Sequence, residues 1–164
     1  MTPREFFPRM PEEVFDMWLN PFIKNIGWPF KSRHEDISRT RWKYLLGIDR
    51  TLNDWVLCNW RLEEINISEK KLSPGSANMI QSIITHCTTG VLTETANLEN
   101  TNERFRSCVE FIVAHSRIPL PIVAIINKRQ FKVIDGHHRV AALVHIGIPQ
   151  NYKIPAWVPE FHEP

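Results

Sequence analysis

The sequence has few cysteines and no long apolar run. Only three of its 164 residues are cysteine, namely Cys58, Cys87 and Cys108. None of them forms a Cys-x-x-Cys pair, so neither a zinc site nor a disulfide framework is predicted. No stretch reaches the roughly 20 apolar residues of a membrane helix, and residues 1–10 are too polar for a secretory signal. We therefore expect a cytoplasmic protein without a membrane partner.

An excess of one charge is also missing. Twenty Lys and Arg residues against eighteen Asp and Glu give a formal net charge of +2, which predicts no general attraction to nucleic acid. One segment is locally basic and interleaved with two aromatic residues: Arg33, Arg39, Arg41, Lys43 and Arg50, with Trp42 and Tyr44. Such a pattern occurs in single-strand binders, although a solvated helix face is the more frequent explanation. Nucleic acid therefore stays open as a partner.

The chain divides near residue 58. Before it, apolar residues recur at helical spacing from Val14 to Phe22, and a second helix is predicted for residues 36–46. A segment of this length is near the lower limit for independent folding, so residues 1–57 are expected to be a helical extension packed on the core. Its tryptophans Trp18, Trp28 and Trp42 indicate either core packing or a surface for a protein partner.

Residues 58–164 alternate between strand and helix patterns. We predict a strand at 60–67, a helix around 79–87 that ends at Gly90, a helix from residue 101 or 102, a hairpin of 121–126 with 131–134, a helix at 137–146 and a strand at 154–158. Pro155 in the last strand predicts an edge position or a bulge, because proline cannot donate to a strand ladder.

The most informative segment is Asp135-Gly136-His137-His138-Arg139, between a predicted strand and a predicted helix. Glycine permits a sharp turn, and the first N–H groups of a helix favour an anion such as phosphate. Arg139 could grip phosphate oxygens in a bidentate manner, and His137 and His138 add donors. Asp135 is a good helix N-cap whose charge would repel phosphate; it alternatively faces a ribose hydroxyl, a metal ion or Arg139. A capped surface helix with solvated histidines explains this segment about equally well.

Residues 119–158 resemble the core of the ParB/sulfiredoxin superfamily. The stretch reads PLPIVAIINKRQFKVIDGHHRVAALVHIGIPQNYKIPAWV, and its DGHHR box followed by small residues is the most specific match. Residues 60–72 resemble the family's first strand and the following loop. The resemblance implies an α+β fold for residues 58–164, a ParB/sulfiredoxin-like small mixed sheet with flanking helices. It also implies that nucleotide phosphates bind at residues 136–139.

Activities within that superfamily differ. ParB proteins bind and hydrolyse CTP, sulfiredoxins use ATP, archaeal free-serine kinases phosphorylate serine, and some plasmid-encoded members are ATPases and nucleases. His137 stands where the sulfiredoxin box has its nucleophilic cysteine, so a cysteine-dependent sulfiredoxin is not expected. The Glu-Arg-Arg of the ParB box is also absent, which weakens a full centromere-binding role.

Two functional hypotheses remain. The first is an enzyme that hydrolyses ATP or another nucleoside triphosphate, or transfers its phosphate, with Mg²⁺ as a companion and nucleic acid as one conceivable substrate. This requires an acid or base, for which Glu69 is the first candidate and Glu64 the second. His138 would contact the transferring phosphate, while His137 tunes specificity. The alternative is a non-catalytic module that binds a nucleotide or a protein.

Overall fold

Contacts divide the chain into two units. The computed structural model describes residues 1–46, 50–91, 100–148 and 151–162. One unit comprises Met1–Arg61 and Trp157–Pro164, and the other comprises Leu62–Ala156. The end of the chain thus groups with the N-terminal segment, for example through a 3.0 Å hydrogen bond from Trp157 Nε1 to Glu13 Oε2. The packing of residues 1–57 on the core stays a prediction.

The first unit is mostly helical. Its elements are α1 (Pro3–Phe6), α2 (Glu12–Val14), a π-helical turn (Phe15–Leu19), α3 (Asn20–Ile26), a 3₁₀ helix (Arg41–Tyr44) and α4 (Leu52–Leu57). The helical spacing from Val14 to Phe22 is confirmed, since α2, the π turn and α3 follow one another without a break.

The helix predicted for residues 36–46 is wrong. Asp36 accepts hydrogen bonds from the backbone N–H and hydroxyl of Ser38, and Thr40 Oγ1 accepts one from the backbone N–H of Trp42. Such local side-chain bonds compete with helical bonding. Only the four-residue 3₁₀ helix forms there. Gly47, at the end of that prediction, lies outside the described residues.

Of Trp18, Trp28 and Trp42, two belong to the interior of the first unit. Trp18 and Trp42 are fully buried, and Trp28 meets Trp42 edge-on with ring centroids 4.9 Å apart. The hypothesis that these rings form an exposed interaction surface is therefore wrong for Trp18 and Trp42, because the unit needs them for its own core. A protein partner for this region stays a prediction.

A five-stranded mixed sheet with flanking helices confirms the α+β class. The strands are β1 (Asn59–Asn66), β2 (Lys71–Leu72), β3 (Ile122–Ile126), β4 (Gln130–Asp135) and β5 (Lys153–Glu160), in the order β1-β5-β3-β4-β2. β3 and β4 are antiparallel, as the hairpin prediction required, whereas β2 and β4 are parallel. The helices are α5 (Pro74–Thr89), α6 (Thr101–His115) and α7 (His137–Ile146), and α7 packs against both others.

Of the two alternatives predicted for Pro155 in the last strand, the edge position is wrong, and the bulge stays a prediction. β5 lies between β1 and β3 and therefore has neighbours on both sides. The two prolines of β5, Pro155 and Pro159, each remove one donor from the ladder, but the other residues of this eight-residue strand remain available for pairing. Among the described residues, no helix is long and apolar enough to cross a membrane.

Candidate functional site at the β4–α7 junction

A bulge at the end of β4 shapes the junction. Ala124 pairs with Val133, but the next pair is Val123 with Asp135, so β4 carries one extra residue, Ile134. A bulge bends the strand and re-aims the side chain that follows it. It changes the direction of Asp135 immediately before the turn into α7.

Gly136 makes the turn with a φ of 102°, in a region that residues with a Cβ rarely adopt. A Cβ at this position would lie 2.7 Å from Ile122 Cγ2 and 2.8 Å from Arg139 Nη2. The space beside Gly136 is therefore filled by the protein itself. Glycine is needed here because a Cβ would clash with Ile122 and Arg139.

Asp135 and Arg139 form an ion pair across the first turn of α7. Arg139 Nη2 donates to Asp135 Oδ2 at 3.3 Å and to the carbonyl oxygen of Pro121 at 3.2 Å. Of the alternatives for Asp135, the contact with Arg139 is confirmed, while no side-chain cap bond to α7 forms. Burial raises the pKa of the Asp135 carboxyl, although Arg139 acts in the opposite direction. The Arg139 guanidinium thus links α7 to the end of β4 and to the residue that precedes β3.

Both histidines of the box are neutral at pH 7. Burial lowers the pKa of His137 to about 4, despite a hydrogen bond from its ring to the Val133 carbonyl. Burial also lowers the pKa of His138 to about 4, and the charges of Arg104 and Arg139 add to the effect. His138 Nε2 is buried and has no hydrogen-bond partner within the described part of the chain. Buried polar atoms normally have hydrogen-bond partners. Because this nitrogen has none and positive charge acts on it, it is the feature of the junction that indicates a ligand.

Glu69 lies at the other end of β4. It sits in the turn before β2, and Lys71, two residues later, pairs with Gln130 at the start of β4. From Gln130 to Asp135 the strand rises roughly 17 Å. The structure therefore does not bring Glu69 together with the box.

Glu64 is equally remote. It lies on β1, which is separated from β4 by β5 and β3, or roughly 14 Å at the usual strand spacing. Its carboxylate is exposed and faces Lys153 Nζ at 3.9 Å. Neither predicted base is thus positioned next to the box residues.

Sequence reasoning missed Arg104. This residue lies in the first turn of α6, and its charge influences the pKa of both Asp135 and His138. In the sequence it is one of several charged residues on the polar face of an amphipathic helix. Nothing in that pattern distinguishes it, because its position depends on how α6 packs against α7.

Comparisons with known proteins give one distant structural match. No family model matches the chain, and no curated protein matches it. Among solved structures, the chain is similar to the C2221 form of a Pnob8-like ParB-N domain, with 15% sequence identity and a TM-score of 0.38. The similarity covers 64% of this chain and 32% of that one, so the chain spans about a third of the length of the protein it matches.

The junction offers no cage for a metal ion. Among the described residues, no three His, Cys, Asp or Glu side chains converge on one point, and Asp135 is engaged by Arg139. Mg²⁺ usually binds through one or two carboxylates together with substrate phosphates. These residues do not fit a resident Mg²⁺.

The cysteines are not activated nucleophiles. Cys58 and Cys108 are buried and Cys87 is half-buried. Burial raises the pKa of all three thiols, that of Cys58 to about 12. A reactive cysteine requires a lowered pKa, which none of them has.

Proposed function

We propose that the chain binds the phosphates of a nucleotide, ATP or another nucleoside triphosphate, at the amino-terminal turn of α7. The observation that carries the proposal is the buried Nε2 of His138, which has no partner among the described residues. The neutral ring can donate one hydrogen bond there. A phosphate oxygen would satisfy that donor, which otherwise costs free energy in the interior.

The electrostatics of the junction favour an anion. Arg104 and Arg139 both lower the pKa of His138, which means that their positive charge reaches the ring. The same field stabilises a negative group placed beside it. The amino-terminal N–H groups and the dipole of the ten-residue helix α7 act in the same direction. We therefore assign His138 and the backbone of residues 137–139 to phosphate contact, and Arg139 chiefly to positioning.

A thermal-shift panel tests the binding. ATP, ADP, CTP and GTP are added with and without Mg²⁺, because any Mg²⁺ would arrive with the phosphates. A nucleotide at a hundredfold excess over its Kd stabilises the fold by about 2.7 kcal/mol. For a chain of this size, that raises Tm by about 5–10 °C. If no nucleotide raises Tm at millimolar concentration, the proposal is wrong.

A matched pair of variants locates the site. His138→Asn should abolish most of the shift, whereas His145→Asn makes the same change at the far end of α7 and should retain it. Equal shifts in both variants would place the nucleotide elsewhere.

Turnover of the nucleotide stays a prediction, and binding without turnover is the alternative. Phosphate release by the wild-type protein decides between them. Because Glu64 and Glu69 lie far from the box, we expect that any turnover survives the double variant Glu64→Gln/Glu69→Gln. A loss of about 10² or more in this variant, the usual reach of a general base, would restore the assignment made from the sequence.

A further inference from the structure

A cleft in the first unit combines cations with an exposed aromatic ring. Its volume is about 770 Å³, and it is lined by residues 33–38, 43–44 and 50–53. Arg33, Lys43 and Arg50 supply positive charge. All of these residues belong to the first unit, whereas the β4–α7 junction belongs to the second. The proposed nucleotide site therefore does not account for this cleft.

Tyr44 is the exposed ring. Its side chain is 70% exposed, while that of Trp42 is 1% exposed and donates its indole N–H to the Gly27 carbonyl at 2.9 Å. The ammonium of Lys43 lies 4.8 Å from the centroid of the Tyr44 ring. An accessible ring beside a cation is a surface on which an unpaired base can stack.

The two acidic residues of the cleft accept hydrogen bonds from nearby backbone groups and from one hydroxyl. Glu35 Oε1 accepts hydrogen bonds from the backbone N–H groups of Lys31 and Ser32, at 2.7 and 2.8 Å. Asp36 accepts bonds from the N–H and hydroxyl of Ser38, at 2.9 and 2.8 Å. These donors partly compensate both carboxylates and hold them in local turns.

Positive charge is concentrated around the cleft. Residues 31–44 contain five Lys and Arg residues against two Asp and Glu, in a chain whose formal net charge is only +2. Arg39 and Arg41 are exposed but do not line the cleft. The basic surface thus extends beyond the volume that one mononucleotide would fill, which favours a longer polyanion.

We propose that this cleft binds single-stranded nucleic acid. Phosphates of the strand contact Arg33, Lys43 and Arg50, and one base stacks on Tyr44. A single strand fits better than a duplex, because paired bases do not expose a face for stacking.

Fluorescence anisotropy with a labelled oligonucleotide of about 16 nucleotides tests the inference on the full chain. The affinity should fall steeply as salt increases, because binding releases counterions from the strand. Tyr44→Ala should weaken binding about tenfold, the scale of one lost stacking contact. Arg33→Gln/Lys43→Gln should reduce the slope of log K against log salt by about 1.4, since each single-strand phosphate contact contributes about 0.7.

A charge-matched control separates the cleft from general electrostatics. Lys24→Gln/Lys128→Gln removes the same charge from exposed positions outside the cleft and should leave the salt slope nearly unchanged. His138→Asn, which removes a proposed nucleotide contact, should leave oligonucleotide binding unchanged. Circular dichroism checks that each variant is folded.

Several results would overturn the inference. The first is that no oligonucleotide binds at low salt. The second is that Tyr44→Ala binds as tightly as wild type. The third is that the cleft and control double variants lose oligonucleotide affinity equally. A duplex of the same sequence that binds as tightly as the single strand would also refute the stacking. If ATP displaces the oligonucleotide at a concentration near the Kd of ATP for the chain, the cleft is a mononucleotide site instead.

Discussion

At the scale of single residues, Gly136 and His138 show how closely the box is fitted into the protein. Gly136 has no room for a Cβ, because Ile122 and Arg139 fill the space beside it. Burial, together with the charges of Arg104 and Arg139, lowers the pKa of His138 to about 4. Residues from other elements form the surroundings of both positions, so one substitution at each position tests the packing described for it.

Gly136→Ala should destabilise the fold by about 2–4 kcal/mol. A residue with a Cβ costs about 1–2 kcal/mol in the left-handed conformation, and the close contact with Ile122 adds about 1–2 kcal/mol, the lower part of the usual overpacking cost, because only one methyl group is added. Gly75→Ala is the control, since a Cβ there meets nothing within 4 Å. Chemical denaturation should show no loss for Gly75→Ala; equal effects of the two substitutions would contradict the packing described for Gly136.

His138 should make the stability depend on pH. Its pKa is about 4 in the folded chain, against an ordinary value of 6.5, so the unfolded chain binds the proton more readily. The stability due to the neutral ring is present above about pH 6.5 and is lost as the pH falls towards 4. Between pH 7 and pH 4.5, the free energy of unfolding should fall by about 2 kcal/mol less in His138→Asn than in wild type.

Two neighbouring groups also have shifted pKa values. His137 also has a lowered pKa, whereas the raised pKa of Asp135 acts with the opposite sign. Both remain in the variant, and His138 contributes to the lowered pKa of His137, so the comparison with wild type reports on His138 together with its coupling to His137. His145→Asn serves as the control. Parallel pH profiles of wild type and His138→Asn, measured by urea unfolding, would show that the ring is not buried as described.

At the scale of elements, α5 completes the edge of β4. The short strand β2 pairs with Gln130 and Phe131, and α5 begins just beyond it. There the hydroxyl of Ser76, which is 4% exposed, accepts a 2.9 Å hydrogen bond from the buried backbone N–H of Val133. One helix residue thus replaces the strand partner that β2 is too short to provide.

Ser76→Ala should cost about 1–3 kcal/mol, because it leaves the buried N–H of Val133 without an acceptor. Ser107→Ala makes the same chemical change at an exposed position of α6 and should be nearly neutral. The free energies of unfolding of the two variants provide the measurement. A Ser76→Ala variant as stable as Ser107→Ala would show that the hydrogen bond is dispensable.

At the scale of the whole molecule, the question is whether the two units unfold together. The sequence predicts that residues 1–57 pack on the core, so calorimetry should show one transition. The six tryptophans, at positions 18, 28, 42, 55, 60 and 157, all belong to the first unit. Their fluorescence therefore reports on that unit alone.

Gly136→Ala, a change in the second unit, supplies the test. If unfolding is cooperative, the tryptophan signal and the far-ultraviolet circular dichroism of this variant should shift to the same lower Tm. For a cost of 2–4 kcal/mol the shift is on the order of 10 °C. An unshifted tryptophan transition, or two calorimetric peaks, would mean that the units unfold separately.

The sequence by itself determined most of the elements of the second unit. The hairpin, the helix that starts at His137 and the helix that ends before Gly90 all follow from local periodicity and from glycine at helix ends. These signals are local, so one sequence suffices to read them. The position of the box between β4 and α7 followed in the same way.

Only the tertiary structure decided which residues meet. The sequence predicted that Glu69 and the box act together, yet the parallel pairing of β2 with β4 places Glu69 at the opposite end of the strand. Residues 157–162 group with the N-terminal segment, and Arg104 reaches His138 through the packing of α6 on α7. Such long-range contacts depend on strand order and helix packing, and these leave no periodic signal in a single sequence.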